Sequence, residues 1–178
     1  MTKVINLLGG SSVGKSTTSC GLYYNMKLKK INVELVREYV KMWAWLGREV
    51  HPYDQIYISG KQAQLESSLY NKVDYIITDS PLLLGPIYEL FYTKNSIVLP
   101  SVQRQLNYAK ENAVEHINYV LERHQKYSQL GRFQNEESAK AFDKFLIEWL
   151  NNLNIKYKIC KVPDLERVDW ILSDLKIK

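Results

Sequence analysis

Two rhythms of apolar residues divide this chain. Short, nearly continuous apolar runs have the length of buried strands, and between them apolar residues return every three or four positions, as on one face of a helix. Val4, Ile5, Leu7 and Leu8 make the first run. Cys20, Leu22, Tyr23 and Met26 then recur on a helical period across 15–30, and 32–37, NVELVR, reads as a second strand. A helix is predicted over 53–70 with Ile58, Gln62, Leu65 and Leu69 on its inner stripe, followed by a third strand at 73–79, VDYIITD. Residues 82–92 form an apolar helix, Pro100 opens another over 101–114, and 117–122 alternates as a fourth strand. A helix over 136–152 turns Ala141, Phe145, Ile147 and Leu150 to the sheet, and 155–162 and 164–175 supply a last strand and helix. Strands alternating with helices predict a parallel sheet, because a crossover must carry the chain back to the edge it started from. The expected fold is α/β in three layers, α/β/α, with about five parallel strands and helices on both faces, in a single domain over 1–178.

Composition changes this picture little. Hydrophobic residues at 46% and charged residues at 24% are those of an ordinary globular chain, which excludes disorder. Lys and Arg number 24 against 19 Asp and Glu, a net charge of +5 that suits an anionic substrate, nucleic acid included, without requiring one. Cys20 and Cys160 lack metal-like spacing and read as buried thiols in a reducing compartment. No apolar run approaches a membrane span and no signal-like segment precedes the first strand, so the expected setting is the cytoplasm.

The chemistry begins where the first strand ends. Gly9 is followed by four residues and then Gly14, Lys15 and Ser16, the phosphate-loop pattern, with a strand before it and a helical period after it. Small residues let the backbone wrap a phosphate, and the helix that follows aims its free N–H groups at the anion. Gly9, Ser11, Ser12, Val13, Gly14, Lys15, Ser16 and Thr17 are the candidate nucleotide contacts, with Lys15 on the outer phosphates and Ser16 on a magnesium ion.

In a parallel sheet ligands bind outside the carboxyl ends of the strands, so residues just beyond the second and third strands belong beside that loop. They are both acids, Glu38 and Asp79. An acid at the end of a buried strand in such a protein commonly holds magnesium, the role expected of Asp79. Trp43 and Trp45 could stack on a base or serve the core, and core burial is the better expectation for each. Gln62, polar on an otherwise apolar stripe, either finds a partner in the protein or offers its amide to a ligand. With Arg48, these make Glu38, Trp43, Arg48 and Gln62 the candidate acceptor-side set. The polar connection 48–54 follows. After the fourth strand, Arg123 and Arg132 flank a polar, glycine-containing segment over about 123–136 that reads as a lid whose cations reach a phosphate on closure. Pro163 and Asp164 mark a turn where an adenine could rest.

Together these residues resemble the phosphate-loop kinases of nucleosides and nucleotides, in particular a small, often phage-encoded group related to the nicotinamide riboside kinase domain. The resemblance covers nearly the whole length and rests on the loop at 9–16, on Glu38 and Asp79, and on Arg123, Tyr127, Gly131, Arg132 and Gln134 in the lid. A second similarity is to the deoxynucleoside kinases, whose second strand ends in a glutamate with a tryptophan five residues on, as Glu38 and Trp43 do here. The third strand departs from that pattern, since Asp79 is followed by Ser80 and Pro81 in place of an arginine. The resemblance implies a P-loop kinase fold, ATP and Mg2+ as cofactors, and phosphoryl transfer to a nucleoside or nucleotide-like acceptor. Lys15, Glu38, Asp79, Arg123 and Arg132 are then the catalytic set, with Glu38 taking the proton of an acceptor hydroxyl or anchoring a substrate that is already phosphorylated. Two other readings stay open: a kinase acting on a hydroxymethylated base in phage DNA, and an NTP-binding switch without transfer.

Overall fold

The computed structural model describes residues 1–51 and 53–177; Pro52, inside the predicted 48–54 connection, and Lys178 lie outside the described residues. Five strands form one parallel sheet: β1 (Thr2–Leu8), β2 (Val33–Val36), β3 (Tyr75–Thr78), β4 (Val114–Leu121) and β5 (Lys158–Cys160), in the order β2-β3-β1-β4-β5. Helices α1 (Lys15–Leu28), α2 (Lys41–Trp45), α3 (Asp54–Ser67), α4 (Leu84–Thr93), α5 (Leu99–Glu111), α6 (Glu136–Asn152) and α7 (Arg167–Asp174) connect and cover the strands. This is the parallel α/β fold that the apolar pattern predicts, in the P-loop kinase-like form that the resemblance implies.

β1 lies at the centre, between β3 and β4, and Val4, Ile5, Leu7 and Leu8 are fully buried, which is why it reads as a run and not as an alternation. Its two faces feed two cores. Ile5 and Leu7 pack with Leu22, Met26 and Ile171 of α1 and α7, and Leu8 packs with Ile87, Phe142 and Leu146 of α4 and α6. Each such side chain contributes roughly 1.5–3 kcal/mol by leaving water.

The chain moves from β3, on one side of β1, to β4 on the other, so the crevice opens above β1 at a topological switch point. All four segments singled out in the sequence leave the carboxyl ends of β1 to β4 toward that crevice.

Several expectations change. β4 starts at Val114 and not 117, and β5 keeps only Lys158–Cys160 of the predicted 155–162, because the edge position leaves its flanks without a partner. α6 turns Ala139, Phe142, Leu146 and Leu150 inward. Ala141 is exposed, and Phe145 and Ile147 lie on the flank of the buried face. α3 buries Ile58, Ser59, Gln62 and Glu66, whereas Leu65 is exposed, so its inner stripe is largely polar. Cys20 is exposed while Cys160 is buried. Trp43 is buried as expected for core, but Trp45 is 59% exposed. Among the described residues no helix is long and apolar enough to cross a membrane.

Candidate functional site

The loop between β1 and α1 has its shape imposed from both ends. Gly14 enters α1 at φ 96°, a left-handed conformation in which a Cβ would also lie 2.5 Å from Arg167 Nη1. Arg167 is fully buried; its guanidinium donates to the Val13 carbonyl at 2.7 Å and to the Glu122 carbonyl, and it pairs with Asp164 at 2.7 Å. The loop backbone is thus held from beneath by α7. Lys15 Nζ donates to the carbonyls of Gly9 at 2.7 Å and Gly10 at 2.9 Å. Burial pulls its pKa below the ordinary lysine value, and the carboxylates of Glu38, Asp79 and Asp143 oppose that shift.

The two acids stand side by side. Asp79 is buried, and its Oδ1 accepts the backbone N–H of Glu38 at 3.0 Å, joining the ends of β2 and β3. Burial raises the Glu38 pKa above the carboxylate range; Lys15 and Arg132 pull it down and Asp79 adds to the rise. The Ser16 hydroxyl and the Asp79 carboxylate both line the same cleft. Among the described residues no three acidic, histidine or cysteine side chains converge as a metal cage. That donor set fits magnesium, which keeps several waters and is completed by substrate phosphates.

The segment after β4 lies across the loop. Ser128 N–H donates to Ser12 Oγ at 3.0 Å, Gln125 Nε2 to the Ser12 carbonyl at 3.0 Å, and Ser11 N–H to Gln134 Oε1 at 3.2 Å. Arg132 lines the cleft, with Nε buried and free of a hydrogen-bond partner. Arg123 does not line it; Nε pairs with Asp143 at 2.9 Å, outside the cleft wall. The two lid arginines therefore occupy different places, which their symmetric appearance in the sequence conceals.

A cleft of about 710 Å³ runs from the loop, residues 11–17, past Glu38 and Asp79 to a largely apolar end. Val40, Ile58, Leu84, Tyr88, Tyr92 and Phe133 contribute to that end. Glu49, His51, Gln55 and Glu89 add polar groups there. Lys41 also lines the cleft, and its ammonium donates to the Gly131 carbonyl at 3.1 Å.

Three expected acceptor-side residues are not in the cleft wall. Trp43 stacks with Tyr57 at 6.4 Å between ring centroids, and Arg48 lies over the Trp43 ring at 3.5 Å from its centroid. Gln62 Oε1 accepts the N–H of Tyr39 at 3.2 Å. It therefore holds the backbone just after Glu38 and does not line the cleft, while its Nε2 is buried without a hydrogen-bond partner. Asp164 approaches Gly14 but does not line the cleft, nor does Pro163.

Sequence reasoning missed Asp143, Arg167, Tyr88 and Glu89. The first two act on the loop from 133 and 154 positions away, a distance no local pattern reports. Tyr88 and Glu89 look like ordinary members of an apolar helix, and only the packing of α3 against α4 turns them into a cleft wall.

A family model described as an AAA domain matches residues 4–167. No curated protein matches the sequence. Among solved structures, that of the NadR protein in complex with NR aligns with a TM-score of 0.73 at 15% identity, over 99% of this chain and 52% of the other. The chain spans about half of that protein, and at such identity the likeness is one of fold.

Proposed function

Starting from a chain that belongs to the AAA-domain family, we propose an ATP-dependent phosphotransferase that acts on an uncharged, nucleoside-like acceptor. One observation carries this reading: Glu38 shares a single cleft with Lys15 and Arg132, close enough that their charges shift its ionisation, and that cleft continues into an apolar end. A nucleotide-binding switch has no use for a base across from its phosphate lysine or for a second compartment. The fold's similarity to the NadR protein, solved with NR, supports an acceptor of nucleoside size.

The chemistry follows from positioning and charge. Lys15 and the loop N–H groups receive the phosphates. Ser16 and Asp79 would hold magnesium, which when bound would neutralise part of the developing charge. Arg132 adds a cation from the lid side. An acceptor hydroxyl placed beside Glu38 passes its proton to that carboxylate as its oxygen bonds to the γ-phosphorus, and the bond from that phosphorus to the β–γ bridging oxygen breaks to release ADP. A raised pKa makes Glu38 a better proton acceptor than an ordinary carboxylate. Glu49 and Glu89 also line the cleft, and their charges disfavour an acceptor that already bears a phosphate beside them.

The test supplies labelled ATP with nucleosides, nucleotides and DNA bearing normal and hydroxymethylated bases, the products being resolved by mass. Transfer to free nucleosides is expected, with little dependence on salt. Transfer confined to DNA and steeply reduced by salt would replace the acceptor class. ATP binding without transfer to any member of the panel would refute phosphotransfer and restore the switch.

A further inference from the structure

Asp143, on the second turn of α6, joins three separate parts of the molecule. Its Oδ1 accepts the Gly10 N–H at 2.6 Å, and its Oδ2 accepts Arg123 Nε–H at 2.9 Å. One carboxylate thereby ties the phosphate loop to the first residue of the lid and to the helix that follows the lid.

Gly10 records how close this approach is. It stands at one of the four positions that the phosphate-loop pattern leaves unspecified. A Cβ there would nevertheless lie 2.8 Å from the Ala139 carbonyl oxygen, 2.8 Å from Asp143 Oδ1 and 3.3 Å from Arg123 Nη2. The close approach of α6 is by itself enough to require a glycine there. Beside it, both terminal nitrogens of Arg123 are buried without a hydrogen-bond partner, although Nε is paired. Buried guanidinium nitrogens are rarely left in that state, and among the described residues Asp143 is the carboxylate that pairs with the group. The Asp143 charge also reaches Lys15, where it opposes the effect of burial on the ammonium. A carboxylate that accepts a phosphate-loop N–H at 2.6 Å also repels an anion that the same loop holds.

We propose that Asp143 is a positioning residue of the phosphoryl-transfer site: it holds Gly10 and Arg123 in register, and its negative charge weakens nucleotide binding in return. The proposal rests on the phosphotransfer reading above. It separates two effects that a merely structural residue would move together. Asp143→Asn keeps an oxygen for the Gly10 N–H but removes the charge and loosens Arg123. ATP should then bind severalfold more tightly while turnover falls, on the order of tenfold.

Calorimetric titration of ATP into the wild-type protein and into Asp143→Asn at low and high salt measures the first effect, and steady-state turnover measures the second. The gain in affinity should shrink as salt screens the lost charge. Equal or weaker ATP binding by Asp143→Asn, in a variant that keeps the wild-type melting temperature, overturns the proposal. If that variant melts early, Asp143→Ser, smaller and also neutral, is read by the same two measurements. Failure of the wild-type protein to bind ATP would instead overturn the phosphotransfer reading itself. Wild-type binding with an unchanged Asp143→Asn would overturn only the role of Asp143.

Discussion

Glu66 is fully buried on α3, a helix that also holds the backbone after Glu38 through Gln62. Its Oε1 accepts the Tyr70 hydroxyl at 2.7 Å, and its Oε2 has no partner. His116 Nε2 lies 3.7 Å away, while its Nδ1 accepts from the Asn6 amide at 3.1 Å. Burial pushes the Glu66 carboxyl from 4.5 up to about 7, and the Tyr70 hydrogen bond only partly opposes it. Burial likewise lowers His116 from 6.5 to about 4, so the imidazole stays neutral beside it at neutral pH.

An acid whose pKa is higher folded than unfolded supports the fold below pH 4.5, and that support is lost as pH rises toward 7. The rise from 4.5 to about 7 corresponds to about 3 kcal/mol in full, of which roughly 2.5 kcal/mol falls between about pH 5 and pH 8. Glu66→Gln removes this loss, since the glutamine oxygen still accepts from Tyr70 and no ionisation remains. The variant should be more stable than wild type at pH 8 by roughly 2.5 kcal/mol more than at pH 5, a relative gain in melting temperature of roughly 5–10 °C for a chain of this size. His116 titrates in both proteins, so its contribution, present above 6.5 and lost as pH falls toward 4, largely cancels in the comparison. Urea melts of the two proteins across this range supply the measurement. A stability difference that does not change with pH would refute the buried, protonated state of Glu66.

Three further outcomes are expected. Glu38→Gln should lower turnover with a hydroxyl acceptor by roughly 10²–10⁴ and abolish the rise of wild-type turnover through the elevated Glu38 pKa, with ATP affinity nearly unchanged; an equal loss of ATP binding would sink the base assignment. Arg132→Ala should slow turnover by at least about tenfold, or about 1.4 kcal/mol of transition-state stabilisation, which pre-steady-state transfer would separate from a change in binding. Arg167→Ala leaves the Val13 and Glu122 carbonyls and Asp164 without their cation, and should cost about 3–5 kcal/mol in a denaturant melt; a loss below about 1 kcal/mol would mean that α7 does not brace the loop.

Much of the site was legible along the chain because its chemistry is local. The spacing of Gly9, Gly14, Lys15 and Ser16 is dictated by one turn around an anion, so a stretch of eight residues states it completely. Glu38 and Asp79 were legible for a related reason: parallel topology sends every strand's carboxyl end to one edge, and an acid just beyond a strand needs no further information to be placed there. The helical phase of α6 was not legible. Apolar residues at 139, 141, 142, 145, 146, 147, 149 and 150 permit more than one inner face, and contact with β4 and α4 selected the one through Phe142 and Leu146.

Gln62 and the two lid arginines show what lies beyond any pattern. A glutamine on an inner stripe is compatible with a ligand or a backbone partner, and only the tertiary structure supplies the Tyr39 N–H that its Oε1 accepts. Arg123 and Arg132 are equivalent as letters, but one meets Asp143 across 20 positions and the other opens on the cleft. The sequence by itself determined the strand order's raw material, the phosphate loop and the acids at the strand ends, because each depends on periodicity or spacing within a few residues. Which charged groups meet, which are buried and which face the cleft was decided by the tertiary structure, because charge and burial act through space and are indifferent to separation along the chain.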